Sequence, residues 1–147
     1  MSVIIRKALP ADAKSMLPLA NQLGYDVTID EFIERLKIIA EFSEHSLFVA
    51  ELNSTVCGWI HIYLEAPTLL SGAKAEIASF VVDENHRSQG VGKSLLQAAE
   101  EWSKEQKISV IRLRTNVKRE LALKFYQREG YLLSKTSNLL TKQLDSQ

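Results

Sequence analysis

The stretch AEIASFVVDENHRSQGVGKSLL, running from Ala75 to Leu96, decides the fold. Its first half carries a β-branched and aromatic run from Ile77 to Val82, too short for a helix and closed by the polar cluster Asp83, Glu84 and Asn85, so it reads as a buried strand. Beyond the loop, Val91, Leu95, Ala98, Ala99 and Trp102 recur at steps of three and four between Gln97, Glu100, Glu101 and Lys104, the stripe of a helix with one buried face. Between strand and helix lies Arg87-Ser88-Gln89-Gly90-Val91-Gly92, followed by Lys93 and Ser94. Two glycines where a helix begins let backbone amides approach a ligand with no Cβ in the way. The first amides of a helix lack internal partners and carry the positive end of its dipole, which suits phosphate oxygens, and Arg87 and Lys93 add charge.

Three loop families share this logic, and spacing separates them. Gly92-Lys93-Ser94 copies the end of a P-loop, but the position five before Gly92, where that motif needs its first glycine, is Arg87. Gly90-x-Gly92 begins a dinucleotide fingerprint, yet the third glycine falls on Leu95, and the next strand ends in Arg112 and Arg114 where a ribose-binding acid belongs. What remains is Arg/Gln-x-x-Gly-x-Gly/Ala after a strand. Further on come Thr115-Asn116-x-x-Arg119-x-x-Ala122-x-x-Phe125-Tyr126 and then Gly130-Tyr131.

In these two segments the chain resembles the GNAT superfamily of acyl-CoA-dependent N-acyltransferases. The first matches that family's pyrophosphate loop and the second its downstream motif, in the right order, together covering most of residues 75 to 131. One departure is plain: many relatives have Ala-His before the Phe-Tyr pair, where this chain has Ala122-Leu123.

Composition sets the outer bounds. At 147 residues the chain is long enough for one domain with a real core and short for two, so a single domain over 1–147 is expected. Hydrophobic content of 46% and charged content of 24% are ordinary for a globular protein. Cys57 is the only cysteine, which excludes an intramolecular disulfide or a multi-cysteine zinc site and fits a reducing compartment. No apolar run approaches the roughly 20 residues of a membrane span, and the N-terminus lacks a signal-peptide core. A cytoplasmic protein with no membrane partner and no metal is expected. The zero net charge hides a division: residues 1–85 hold 6 basic and 12 acidic side chains, residues 86–128 hold 10 and 4. A basic segment around the phosphate loop suits an anionic cofactor and the acidic remainder a cationic amine, although solvated helix faces would look the same. A nucleic-acid partner would call for an overall basic excess, which is absent.

Taken in order, Val3 to Lys7 reads as a strand, and Met16, Leu19, Ala20 and Leu23 as a helix that Pro18 should kink or interrupt before Gly24 ends it. Thr28 or Asp30 caps a second helix with Ile29, Phe32, Ile33, Leu36, Ile39 and Ala40 inward. Ser46–Leu52 and Val56–Leu64 form a hairpin about Asn53-Ser54-Thr55. Glu65 to Lys74 is a loop, Ser109–Leu113 a strand, and Lys118–Glu129 a helix ended by Gly130. Tyr131 to Leu144 is expected to make two last strands joined near Lys135 to Ser137. This order is that of the GNAT fold, and the resemblance implies the α/β (α+β) class: a mixed, mostly antiparallel sheet of about seven strands flanked by about four helices.

Acyl transfer from a thioester to an amine needs the carbonyl polarised, the amine deprotonated and the thiolate protonated or stabilised. The resemblance assigns acetyl-CoA as co-substrate to the loop residues Arg87, Ser88, Gln89, Gly90, Val91, Gly92, Lys93 and Ser94, to backbone groups of Phe80, Val81 and Val82, and to Asn116 beside the pantetheine amides. It points to Glu76 as base, fourteen residues before Gly90, and to Tyr126 as the acid that protonates the thiolate. A glutamate at a strand end is also an ordinary boundary residue and Tyr126 an ordinary core aromatic, while His61 and Glu65 are alternative bases acting through water. Cys57, mid-strand, reads as core rather than nucleophile. Tyr25, Trp59, His61 and Tyr63 form an aromatic and polar set on the substrate side. The expected activity is direct attack of a small-molecule or protein amine on acetyl-CoA in a ternary complex; the alternative is an inactive CoA-binding module of the same fold. A homodimer is compatible with either.

Overall fold

The computed structural model describes residues 2–87 and 89–145, and the chain divides into two compact units, 1–114 and 115–147. The first unit is built on a sheet of five strands: β1 (Ile4–Lys7), β2 (His45–Leu52), β3 (Thr55–Glu65), β4 (Lys74–Val82) and β5 (Ile111–Leu113), in that spatial order. The first three pairings are antiparallel and β4 to β5 is parallel, as a helical crossover between them requires. The β2–β3 hairpin closes through Asn53 (φ 53°) and Ser54 (φ 65°), the paired left-handed residues of a two-residue turn whose twist matches its strands.

Helices cover both faces. α1 (Ala13–Gln22) and α2 (Ile29–Ala40) lie over one, where Met16, Leu19, Ala20 and Leu36 join Val49, Trp59 and Val81 in a single core cluster. Thr28 caps α2 through a reciprocal pair with Glu31. α3 (Val91–Glu105) covers the other face and buries Val91, Leu95, Ala99 and Trp102 of the stripe read from the sequence, together with Leu96, while Ala98 is partly buried. Gly58 makes that packing close. A Cβ there would lie 2.9 Å from the Val81 carbonyl oxygen, 3.2 Å from Leu95 and 3.3 Å from Val91.

Two expectations are corrected. α1 runs through Pro18 without ending; the carbonyl that loses its partner belongs to Lys14, on the exposed side of the helix. The sheet has five strands among the described residues, not about seven. In the second unit α4 (Glu120–Arg128) is the one regular element described, and residues 131–145 form no strand. Leu132, Leu133, Leu139, Leu140 and Leu144 are exposed there. An apolar pattern records readiness to enter a sheet, whereas a strand exists only where a neighbour supplies its hydrogen bonds.

Candidate acyl-transfer site

β4 carries the site's main line. Its antiparallel ladder with β3 runs the length of the strand, with a register shift between His61 and Ile62 that leaves Ala78 as the extra residue. Its parallel ladder with β5 covers Ala75, Glu76 and Ile77 and no further. Phe80, Val81 and Val82 therefore lie past the end of that pairing, Val81 buried and its neighbours partly so. The chain then leaves β4 through Asp83, whose N–H donates to the Cys57 carbonyl at 2.7 Å. The Asp83 carboxylate accepts from the Asn85 N–H and from Gln22 Nε2, which together hold its pKa down, and Gln22 Oε1 accepts the Glu84 N–H. The end of α1 thus pins the start of the loop.

At the loop's far end Gly90 is the residue before α3, with φ +81°. That value lies in the left-handed region, which glycine occupies without strain. A Cβ at Gly90 would meet no atom within 4 Å, so the space in front of the helix is open. Arg87, Gln89 and Lys93 are exposed, Gly92 and Ser94 partly so, and Val91 is buried as the first core residue of α3. Ser88 lies outside the described residues. Acidic side chains are absent from the first turn of α3, which leaves its positive end uncompensated from within. These features fit an anionic, phosphate-bearing ligand.

Glu76 is buried, 4% exposed, and both carboxylate oxygens are engaged. Arg112 Nε donates to Oε1 and Arg114 donates from Nη1 to Oε2 at 2.6 Å. Arg112 also reaches Glu65 at 2.7 Å, and Lys74 lies 3.4 Å from the same Glu65 oxygen. A carboxylate taken out of water calls for partners at both oxygens, and these guanidinium groups supply them. The sequence reading used Arg112 and Arg114 only to exclude a ribose-binding acid; that they clamp Glu76 follows from the pairing of Glu76 with Arg112 across β4 and β5.

Trp59, His61 and Tyr63 alternate along β3 and so share the sheet face that α1 and α2 cover, with Glu76 opposite Tyr63. His45, which the sequence reading passed over, joins them from β2: its Nδ1 is 2.9 Å from His61 Nε2 and its ring stacks on Tyr63 at 5.3 Å. Burial, and then the neighbouring His45, push the His61 pKa down to about 4. Tyr25 is exposed and apart from this set in burial. Cys57 is fully buried, its thiol 3.6 Å from the Ala50 carbonyl oxygen and its pKa raised by burial, the environment of a core side chain.

Asn116 and Tyr126 belong to the second unit. The Asn116 side chain accepts the Lys118 N–H at 2.9 Å. Tyr126, on α4, is 8% exposed and its ring meets Phe125 at 5.5 Å and Tyr131 at 6.1 Å. Burial raises its pKa above 10, with Arg119 pulling the other way. Leu121, a turn before Phe125, is 82% exposed. No cluster of His, Cys, Asp and Glu able to hold a metal occurs among the described residues, and none of their helices is long and apolar enough to cross a membrane.

Comparison with known proteins agrees with this geometry. The family model described as "Acetyltransferase (GNAT) family" matches residues 14–131. The aminoalkylphosphonate N-acetyltransferase of Salmonella typhimurium is 33% identical over 113 residues, covering 77% of this chain and 71% of its own. Among solved structures, glucosamine-6-phosphate N-acetyltransferase from Arabidopsis thaliana superposes with a TM-score of 0.78 at 24% identity, over 99% of this chain and 100% of the other. The acetyltransferase AAC(6')-Iy, in complex with a CoA-linked bisubstrate analogue, superposes with a TM-score of 0.88 at 16% identity, over 98% and 100%. With a phosphate-ready helix start following a strand half released from its neighbour, and a family match across most of its length, this chain belongs to the acetyltransferase (GNAT) family of enzymes.

Proposed function

We propose that the protein transfers an acetyl group from acetyl-CoA to a primary amine by direct attack within a ternary complex, both units serving one acetyltransferase domain. The observation that carries this reading is the left-handed Gly90 with open space before α3, directly after a strand whose pairing with β5 stops at Ile77. Acetyl-CoA, when bound, supplies an activated thioester. Arg87, Ser88, Gln89, Lys93, Ser94 and the amides from Gly90 to Gly92 receive its phosphates, backbone groups of Phe80 to Val82 hold the arm and orient the carbonyl, and Asn116 serves the pantetheine amides. Matching of the family model on both sides of the unit boundary supports joint action.

Tyr126 is the proposed acid and Glu76 the residue proposed to assist deprotonation. Glu76 would act in the company of Arg112 and Arg114, so a proton or water reaching it must first displace a guanidinium, of which Arg114 is the more exposed. The acceptor is proposed to be a small-molecule amine, because relatives are named for aminoalkylphosphonates and glucosamine-6-phosphate. A cytoplasmic location accords with one buried, reduced cysteine.

Thiol release from acetyl-CoA, followed across a panel that includes an aminoalkylphosphonate, an amino sugar phosphate and an aminoglycoside, tests the activity. Turnover on one class supports it; CoA binding without transfer to any amine would leave a binding module. For Tyr126→Phe the expected result is a fall in kcat of about 10²-fold or less with CoA affinity unchanged, once chemistry is shown to limit the rate.

A further inference from the structure

We infer that His61 and His45 act as a two-ring proton relay for the acceptor amine: His61 takes the proton and His45 carries the charge. This rests on the transferase reading above and places the amine proton on His61 rather than on Glu76, both of whose carboxylate oxygens are held by Arg112 and Arg114. The pair is a diagonal neighbour contact across β2 and β3, with Nδ1 of His45 and Nε2 of His61 2.9 Å apart, so one hydrogen atom bridges two nitrogens. His61 stands opposite Ser79, one residue from the extra residue Ala78 and just past the point where β4 parts from β5. His45 is held by stacking on Tyr63 and lies near the Phe42 ring. It also lines a cavity of about 170 Å3 with Lys7, Leu36 and Ile39.

The chemistry balances as follows. An ammonium N–H bond breaks and a bond to His61 Nδ1 forms, leaving the amine lone pair free for the thioester carbonyl. The bridging hydrogen passes from His61 Nε2 to His45 Nδ1, so the positive charge sits on His45. After the product leaves, the bridging hydrogen returns to His61 Nε2 and His61 Nδ1 gives its proton to water. The depressed pKa of His61 keeps its lone pair available at neutral pH and disfavours storing charge on that ring, which is why the partner is needed. The charged and titratable groups facing the pair are His45 itself, Lys7 at the cavity, Tyr63 beside it, and Glu76 with Arg112 and Arg114 beyond Tyr63.

The test compares kcat/KM, by thiol release, of the parent chain, His45→Phe and His61→Asn between about pH 5 and pH 9, with thermal melting as a check on folding. Phenylalanine keeps an aromatic ring against Tyr63 and removes the nitrogen. His45→Phe is expected to lose at least about tenfold near pH 7 and to regain most of it toward pH 9, where more of the amine is already neutral. His61→Asn should follow the same profile. A structural role predicts a loss independent of pH, and a His45→Phe curve parallel to the parent's overturns the relay. Absence of transfer by the parent chain on every amine would overturn the proposed function and the relay with it; turnover with an unchanged profile overturns the relay alone.

Discussion

Gly90 shows how one residue's backbone shapes the loop in front of a helix. Its φ of +81° costs an L-residue about 1 to 2 kcal/mol, and the open space where a side chain would go lies before the start of α3. Gly90→Val is therefore expected to weaken CoA binding by at least about tenfold, about 1.4 kcal/mol or more, in a chain that still folds; calorimetry checks it, and unchanged affinity would remove the loop from the site. Glu76 is a second case. Replacing its carboxylate by an amide in Glu76→Gln leaves Arg112 and Arg114 facing an uncharged partner. If Glu76 assists deprotonation, activity should fall most near neutral pH and least at high pH; if it only holds the arginines, the loss should be uniform and accompanied by a lower melting temperature. A pH profile beside a melting curve separates the two.

Between elements, the decisive contact is α3 on the hairpin. Leu95, Val91 and the Val81 carbonyl close around Gly58, so a methyl group there cannot fit without moving either α3 or β4. Gly58→Ala should destabilise the protein by about 1 to 3 kcal/mol, as overpacking does, visible as a lower denaturation midpoint. Because the displaced atom belongs to Val81, CoA affinity should fall as well. A variant as stable as the parent would show that β4 can slide, and that the site is less rigid than its hydrogen bonds imply.

For the whole molecule, acid stability is the sharpest expectation. His61 has a folded pKa of about 4 against an ordinary 6.5, so the folded state binds fewer protons than the unfolded chain in between. Stability from this group is complete above pH 6.5 and declines as the pH falls toward 4, by at most about 3 kcal/mol. Asp12 acts in a lower window. Arg6 Nη1 and Nη2 donate to it at 2.9 and 2.8 Å and the Leu9 N–H at 2.7 Å, holding its pKa below 3.8, so its contribution persists until the pH drops through that lowered value. Denaturant midpoints measured from neutral pH downward should show the early decline in the parent and lose it in His61→Asn, while the later one remains.

Periodicity and spacing made α3, the β2–β3 hairpin and the Gly90 loop legible in the chain itself, because each is held mainly by local rules: the 3.6-residue stripe, left-handed turn residues, and a helix start without side chains in the way. Cys57 as core followed from its place in the middle of a strand. The partners of Glu76 were not legible, since Arg112 and Arg114 lie 36 and 38 residues away and meet it only through the parallel register of β4 and β5. His45 and His61 likewise become a pair only when two strands align diagonally. The last leucines make the point in reverse: their pattern is strand-like, yet strands need a partner's backbone, and residues 131–145 pair with none as strands. Local chemistry determined where these elements begin and end; tertiary structure decided which charges meet, because register is a property of neighbours and not of a segment alone.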